Sequence, residues 1–179
     1  MDNTFEKLSE AQYFLDRMIA LQADRLFFKY NLSAFLSAFR SDTFFMQKEY
    51  SGMENFAKWY SLKQSEFEAN KEMQLLNTKR VMTIHKVPVG LHANINGSIH
   101  ERIFITDHLS VEIIHADGTI EKEKPINIER IELTDEIASN EKWLWYFDDY
   151  TQSDVVSICS DCMTYLSNVV SDCSSTCTQ

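Results

Sequence analysis

Two residues near the middle of the chain, Arg80 and His85, pair a permanent cation with a side chain that titrates near neutrality. Arginine is a permanent cation whose planar fork fits phosphate or carboxylate in two parallel hydrogen bonds. Histidine titrates near neutrality and can pass a proton in either direction. Both lie in KRVMTIHK, residues 79–86, the most basic short stretch of the chain, with Lys79 and Lys86 at its ends. On a helix, five steps separate Arg80 from His85 by about 140° around the axis and about 7.5 Å along it. They do not touch within one helix at that spacing. They can line two sides of one groove, particularly if a second copy of the helix packs across a two-fold axis. The same residues also have a structural reading, in which Arg80 pairs with an acidic neighbour and His85 sits on the last turn of its helix, where the dipole favours a cation.

Other polar residues interrupt apolar patterns. Arg40 and Asp42 fall in the apolar stretch NLSAFLSAFRSDTFFMQKE, Asp42 inside the apolar arc and Arg40 at its edge. A carboxylate in that position must be paired or protonated. It serves either as a polar lock between helices or to orient Arg80 or His85. The four cysteines, Cys159, Cys162, Cys173 and Cys177, have a spacing that resembles a zinc site. If they share one helix, however, Cys159 and Cys173 stand about 21 Å apart, and the expected role is packing as small hydrophobes. His92, His100, His108 and His115 lie in a strand-rich region with parities that do not converge, so no metal is expected there. A phosphate-cradling glycine loop, a GxSxG turn and an HExxH helix are all absent from the sequence, and no cofactor is expected.

The elements that must position these residues follow from periodicity. Residues 4–21 and 24–49 repeat apolar positions at steps of three and four, with Thr4 available as a cap on the first. In the second, Phe28, Leu32, Phe35, Phe39, Thr43 and Met46 form the stripe, and Phe27, Ala34, Ala38 and Phe45 widen it. Ser51 and Gly52 break the pattern. Residues 53–68 then form a third helix with Met53, Phe56, Ala57, Tyr60 and Phe67 inward. Residues 70–85 form a fourth, carrying Met73, Leu75, Leu76, Val81 and Ile84, which stops before the pre-proline Val87. From Val89 the period falls to two, and Asp117-Gly118 marks a hairpin. A meander of four or five short strands is expected, one of them over 127–133. The run Trp143 to Phe147 is expected to dock the sheet on the helices. A last helix from a Ser153 cap to about residue 172 turns Val155, Ile158, Cys162, Leu166, Val169 and Cys173 inward.

Composition bounds the partners. At 179 residues, 44% hydrophobic and 25% charged, the chain reads as an ordinary globular protein. Its first residues lack the pattern of a secretory signal, and no apolar run approaches a membrane span, so a cytoplasmic protein without a membrane partner is expected. The net charge of -10 argues against duplex DNA as a ligand. Residues 1–86 hold 12 Lys and Arg against 11 Asp and Glu, a net charge of +1, whereas residues 87–179 hold 5 against 16, a net of -11. A polyanion can bind only the first half, and the acidic sheet, around Glu121 and Glu123, is suited to a protein partner.

An all-helical bundle with Arg, four to six residues, then His near the end of a late helix resembles the HEPN superfamily of small RNA-directed proteins, many of them ribonucleases of toxin-antitoxin and phage-defence systems. The stretch NLSAFLSAFRSDTFFMQKE, followed by NFAKWY and then the Arg and His helix, is similar to a group of bacterial HEPN-like proteins, and the resemblance covers about residues 10–86. It implies metal-independent cleavage of RNA at the cleft of a homodimer. His85 would act as general acid or base on the ribose 2′-OH or the leaving oxygen, and Arg80 would hold the phosphate, with Lys79 and Lys86 as further RNA contacts. Active members usually follow the Arg with a polar residue, where this chain has Val81. The expected fold is α+β, mainly α: a HEPN-like bundle over 1–86, an antiparallel β insertion over 87–140, and an aromatic anchor with a C-terminal helix over 141–179. The alternative function is a non-catalytic module for protein interaction or oligomerisation.

Overall fold

The computed structural model describes residues 3–85, 87–96, 102–105, 111–122 and 142–177. The fold is α+β and mainly α. Helices α1 (Asn3–Ala20), α2 (Arg25–Tyr50), α3 (Phe56–Ala69) and α4 (Lys71–His85) precede strands β1 (Leu91–Asn96), β2 (Arg102–Ile105), β3 (Val111–Ile114), β4 (Ile120–Lys122) and β5 (Lys142–Phe147). Helix α5 (Val155–Cys177) follows them. Two compact units result: residues 1–89 with 156–179, and residues 90–155.

In the helical unit, α1 buries Thr4, Leu8, Ala11, Leu15 and Met18 at steps of three and four, and it packs along α2. Thr4 is not the cap that its side chain suggests, because α1 starts one residue earlier. Its backbone N–H and its hydroxyl both donate to Glu49 Oε2 at the far end of α2, at 3.0 and 2.7 Å. A carboxylate 45 residues away thus satisfies the orphan amides of the first turn. Asp24 caps α2 by accepting from the N–H groups of Leu26 and Phe27. The α2 stripe Phe28, Leu32, Phe35, Phe39, Thr43 and Met46 is buried, and each large side chain removed from water is worth about 1.5–3 kcal/mol. Phe27 is not part of it: the ring is 52% exposed.

Helices α3 and α5 close a second part of the core. Met46, Tyr50, Phe56, Tyr60, Val169 and Cys173 form one buried cluster. Tyr50, Phe56 and Tyr60 stack in series, with centroids 6.3 and 5.2 Å apart. Two polar contacts reinforce the same seam, Tyr165 Oη donating to Glu66 at 2.9 Å and Trp59 Nε1 donating to Asp172 at 3.0 Å. Helix α5 begins at Val155, one residue beyond the start a Ser153 cap would give, and its inner residues Val155, Ile158, Cys162, Leu166, Val169 and Cys173 are all buried.

The second unit is a five-stranded antiparallel sheet of order β4-β3-β2-β1-β5. The Asp117-Gly118 hairpin joins β3 to β4, and Gly118 takes φ 85, a conformation that a side chain would oppose. Asp117 Oδ1 accepts from the Thr119 N–H at 2.9 Å and fixes the turn. The aromatic run is not a separate anchor; it is itself β5, an edge strand paired with β1. Leu91, Ala93 and Ile95 of β1 face Phe147, Trp145 and Trp143, so the two strands bury one side in register. Asp154 holds the turn after β5 by accepting from the Trp145 N–H at 2.7 Å. The strand expected over 127–133 lies outside the described residues.

Candidate functional site

Helix α4 carries the Arg and His pair, and its start is fixed locally. Asn70 Oδ1 accepts from the N–H groups of Glu72 and Met73 at 3.0 and 3.1 Å, the arrangement of a helix N-cap. Met73 and Leu76 are then buried, while Val81 and Ile84, expected inward, are 38% and 46% exposed. At 100° per residue Arg80 lies within about 20° of Met73 and between Leu76 and Asn77. Burial therefore fades along one stripe, from Met73 through the half-buried Arg80 to the exposed Ile84. At the end of the helix the Val87 N–H donates to the Met82 carbonyl at 3.1 Å, a five-residue step that widens the turn holding His85.

Arg80 makes no hydrogen bond or salt bridge among the described residues, and its Nε is buried without a partner. A buried guanidinium N–H left open in this way is costly, and an anionic ligand would satisfy it. The reading in which Arg80 pairs with an acidic neighbour is therefore not what the described residues form. His85 is the last residue of α4; its side chain and the whole of Lys86 lie outside the described residues. Lys79 does not lie on the surface as an RNA contact. It is 2% exposed, because its position one step from Arg80 turns it into the bundle, where it has a partner of its own.

Arg40 of α2 belongs to a cleft next to this stripe. Its Nη1 donates to Thr43 Oγ1, and its guanidinium lies 4.5 Å from the centroid of the Phe44 ring, a cation–π contact. No carboxylate pairs with it among the described residues. The cleft runs between α2, α3 and α4, with a volume of about 220 Å³, and Phe39, Arg40, Tyr60, Phe67 and Asn77 are among its lining residues. Sequence reasoning missed it, since three separate helices build it.

Asp42 turns away from that cleft. It is fully buried and neither carboxylate oxygen has a hydrogen-bond partner among the described residues, so it does not orient Arg80 by a direct bond. Desolvation pushes its carboxyl up to about 8; Lys7 of α1 lowers it and Glu10 raises it. It is thus held as the neutral acid, the second of the two outcomes that burial allows.

The remaining titratable groups are dispersed. His92 Nδ1 lies 3.1 Å from Asp148 and its ring stacks on Tyr146, whereas His115 Nε2 lies 3.2 Å from Glu121 by the hairpin. Cys159, Cys162 and Cys173 are buried free thiols on one unbroken helix, and burial pushes Cys162 up to about 12. The side chain of Cys177, His100, His108 and Glu123 lie outside the described residues. Among the described residues no group of three or more His, Cys, Asp or Glu side chains is placed to hold a metal ion, and no helix is long and apolar enough to cross a membrane. The chain matches no family model, no curated protein and no solved structure.

Proposed function

We propose that the chain is a HEPN-like, RNA-directed protein of bacterial defence or stress, working as a homodimer and cleaving RNA without a metal ion. The observation that carries this reading is Arg80: a half-buried guanidinium with an open Nε–H and no carboxylate partner among the described residues, in a protein with ten more acidic than basic side chains. Such a group is poised for a phosphate. Arg80 binds the scissile phosphate and stabilises the charge that builds on its oxygens as the ribose 2′-oxygen attacks. His85, at the end of the same helix, takes the 2′-OH proton or delivers one to the departing 5′-oxygen. Replacing His85 with Ala abolishes cleavage of single-stranded RNA while circular dichroism stays unchanged; undiminished cleavage by that variant removes His85 from the mechanism.

A second reading, a non-catalytic interaction module, is favoured by Val81 and Ile84, which leave apolar side chains exposed on the last turns of α4, to one side of Arg80. Its partner would bind the acidic sheet, with Glu121 in the contact. No nuclease activity in the purified protein, with partner binding lost on charge reversal at Glu121, would select it.

A further inference from the structure

Burial leaves one side of α2 apolar and uncovered. Phe27, Tyr30 and Phe44 are each at least half exposed, and so is Leu26. At 100° per residue these four share an arc of about 120° with Ser33, Ala34, Ser37 and Ser41. The arc lies on the side away from the buried Phe28, Phe35 and Met46. None of the eight residues is charged, in a chain of which 25% is charged. From Arg25 to Lys48 the one acidic residue is Asp42, and it is buried on the other side of the helix. Single exposed apolar side chains are ordinary, but a row of aromatic ones along one helix marks an interaction surface.

The order of side chains along the row says what covers it. Tyr30 and Phe44 each stand seven residues from Ser37, about 10.5 Å along the axis in opposite directions. A two-fold axis through Ser37 therefore sets two α2 helices antiparallel, with Tyr30 of each opposite Phe44 of the other. Such a self-complementary pairing is the commonest form of association between identical chains. Between the two aromatic pairs the small residues Ser33, Ala34, Ser37 and Ser41 let the helix axes approach to about 8 Å. The hydroxyls of Ser37 and Ser41 already donate to the carbonyls of Ser33 and Ser37, at 3.1 and 2.7 Å, so covering them leaves neither donor open. The Arg40 guanidinium lies 4.5 Å from the centroid of the Phe44 ring, where its N–H groups can donate to the hydroxyl of the arriving Tyr30.

We propose that this face of α2 is where two copies of the chain associate, through an antiparallel pair of α2 helices centred on Ser37. The RNA-directed reading above calls for a second copy but not for a place where it binds, and this surface stands without that chemistry. Three half-exposed rings leave about 300 Å² open on each copy, against about 800 Å² per partner in a stable complex. The dimer therefore belongs to the weak, concentration-dependent class.

The test is sedimentation equilibrium of the full chain, with Tyr30→Lys and Phe44→Glu measured alone and mixed. Both positions are exposed, and circular dichroism checks that each variant is folded. The wild type approaches twice the 20.9 kDa of one chain at about 100 μM and dissociates on dilution. Each variant alone weakens association about tenfold or more, because it sets an unpaired charge against the apolar face of the other copy. An equimolar mixture of the two recovers association, since the introduced charges of opposite sign meet at one pair and the native Tyr30 and Phe44 at the other. That recovery supports the interface whether or not the chain cleaves RNA. Loss in both variants without recovery in the mixture overturns the antiparallel pairing. Variants that associate as the wild type does overturn the proposal, because the contact then lies elsewhere. A wild type that stays a monomer at about 100 μM overturns it as well, whether a foreign protein or an anionic vesicle binds the face instead.

Discussion

Asp42 is a carboxyl with no exposure to water and no hydrogen bond among the described residues, which gives it a clear energetic signature. Its folded-state value of about 8 stands above the 3.8 of the free side chain. Between those limits the unfolded chain has released a proton that the folded chain keeps. The stability associated with the neutral carboxyl is therefore fully present below about pH 4 and is lost as pH rises through about 8. Asp42→Asn cannot ionise, so urea denaturation at several pH values should find the variant more stable at pH 8, by on the order of a few kcal/mol. The difference should shrink toward pH 4. Equal pH slopes in the two proteins would place the titration elsewhere. Arg40, two residues before Asp42, has a different setting: its guanidinium lies 4.5 Å from the centroid of the Phe44 ring at the edge of a cleft.

At the scale of elements, the helices that carry the site are anchored by side chains from near and far. Asn70 caps α4 from the adjacent position, whereas Glu49 caps α1 from the last turn of α2. Glu49→Ala leaves the first-turn amides of α1 without that acceptor and should cost about 0.5–2 kcal/mol, read as a lower thermal midpoint. An unchanged midpoint would mean that water replaces the carboxylate at no cost. These two caps also mark what the sequence makes legible. Asn70 stands directly before a periodic apolar run, so local pattern suffices to start α4 near it. Nothing in the sequence near Thr4 points to Glu49. Similarly, the stripe on α5 is plain from its spacing, including Cys162 and Cys173, but Lys79 looks like a surface cation until α4 is docked and turns it inward. The segment Trp143 to Phe147 hides its alternation because residues of both parities are large and apolar, and only pairing with β1 separates the buried Trp145 and Phe147 from Leu144 and Tyr146. Arg80 could be found from residue type and spacing. The cleft lined by Arg40, Tyr60 and Asn77 could not, since these residues meet only when α2, α3 and α4 pack.

At the scale of the whole molecule, charge and architecture divide along the same line. The helical unit, residues 1–89 with 156–179, holds 12 Lys and Arg against 13 Asp and Glu, a net charge of -1, while the sheet unit, residues 90–155, holds 5 against 14, a net of -9. In the proposed reading RNA binds the helical unit, because the acidic sheet unit repels a polyanion. The proposed dimer should sediment at twice the 20.9 kDa of one chain at the concentrations where cleavage is measured. A monomer with full activity would remove the second copy from the site. The most direct measurement is the rate of single-stranded RNA cleavage in the presence of EDTA by the wild type and by Arg80→Gln. The account expects cleavage by the wild type that EDTA does not reduce, and a loss on the order of 100-fold or more in the variant, as for removal of a transition-state charge clamp. Equal rates for the two proteins, or a wild-type rate abolished by EDTA, would contradict it.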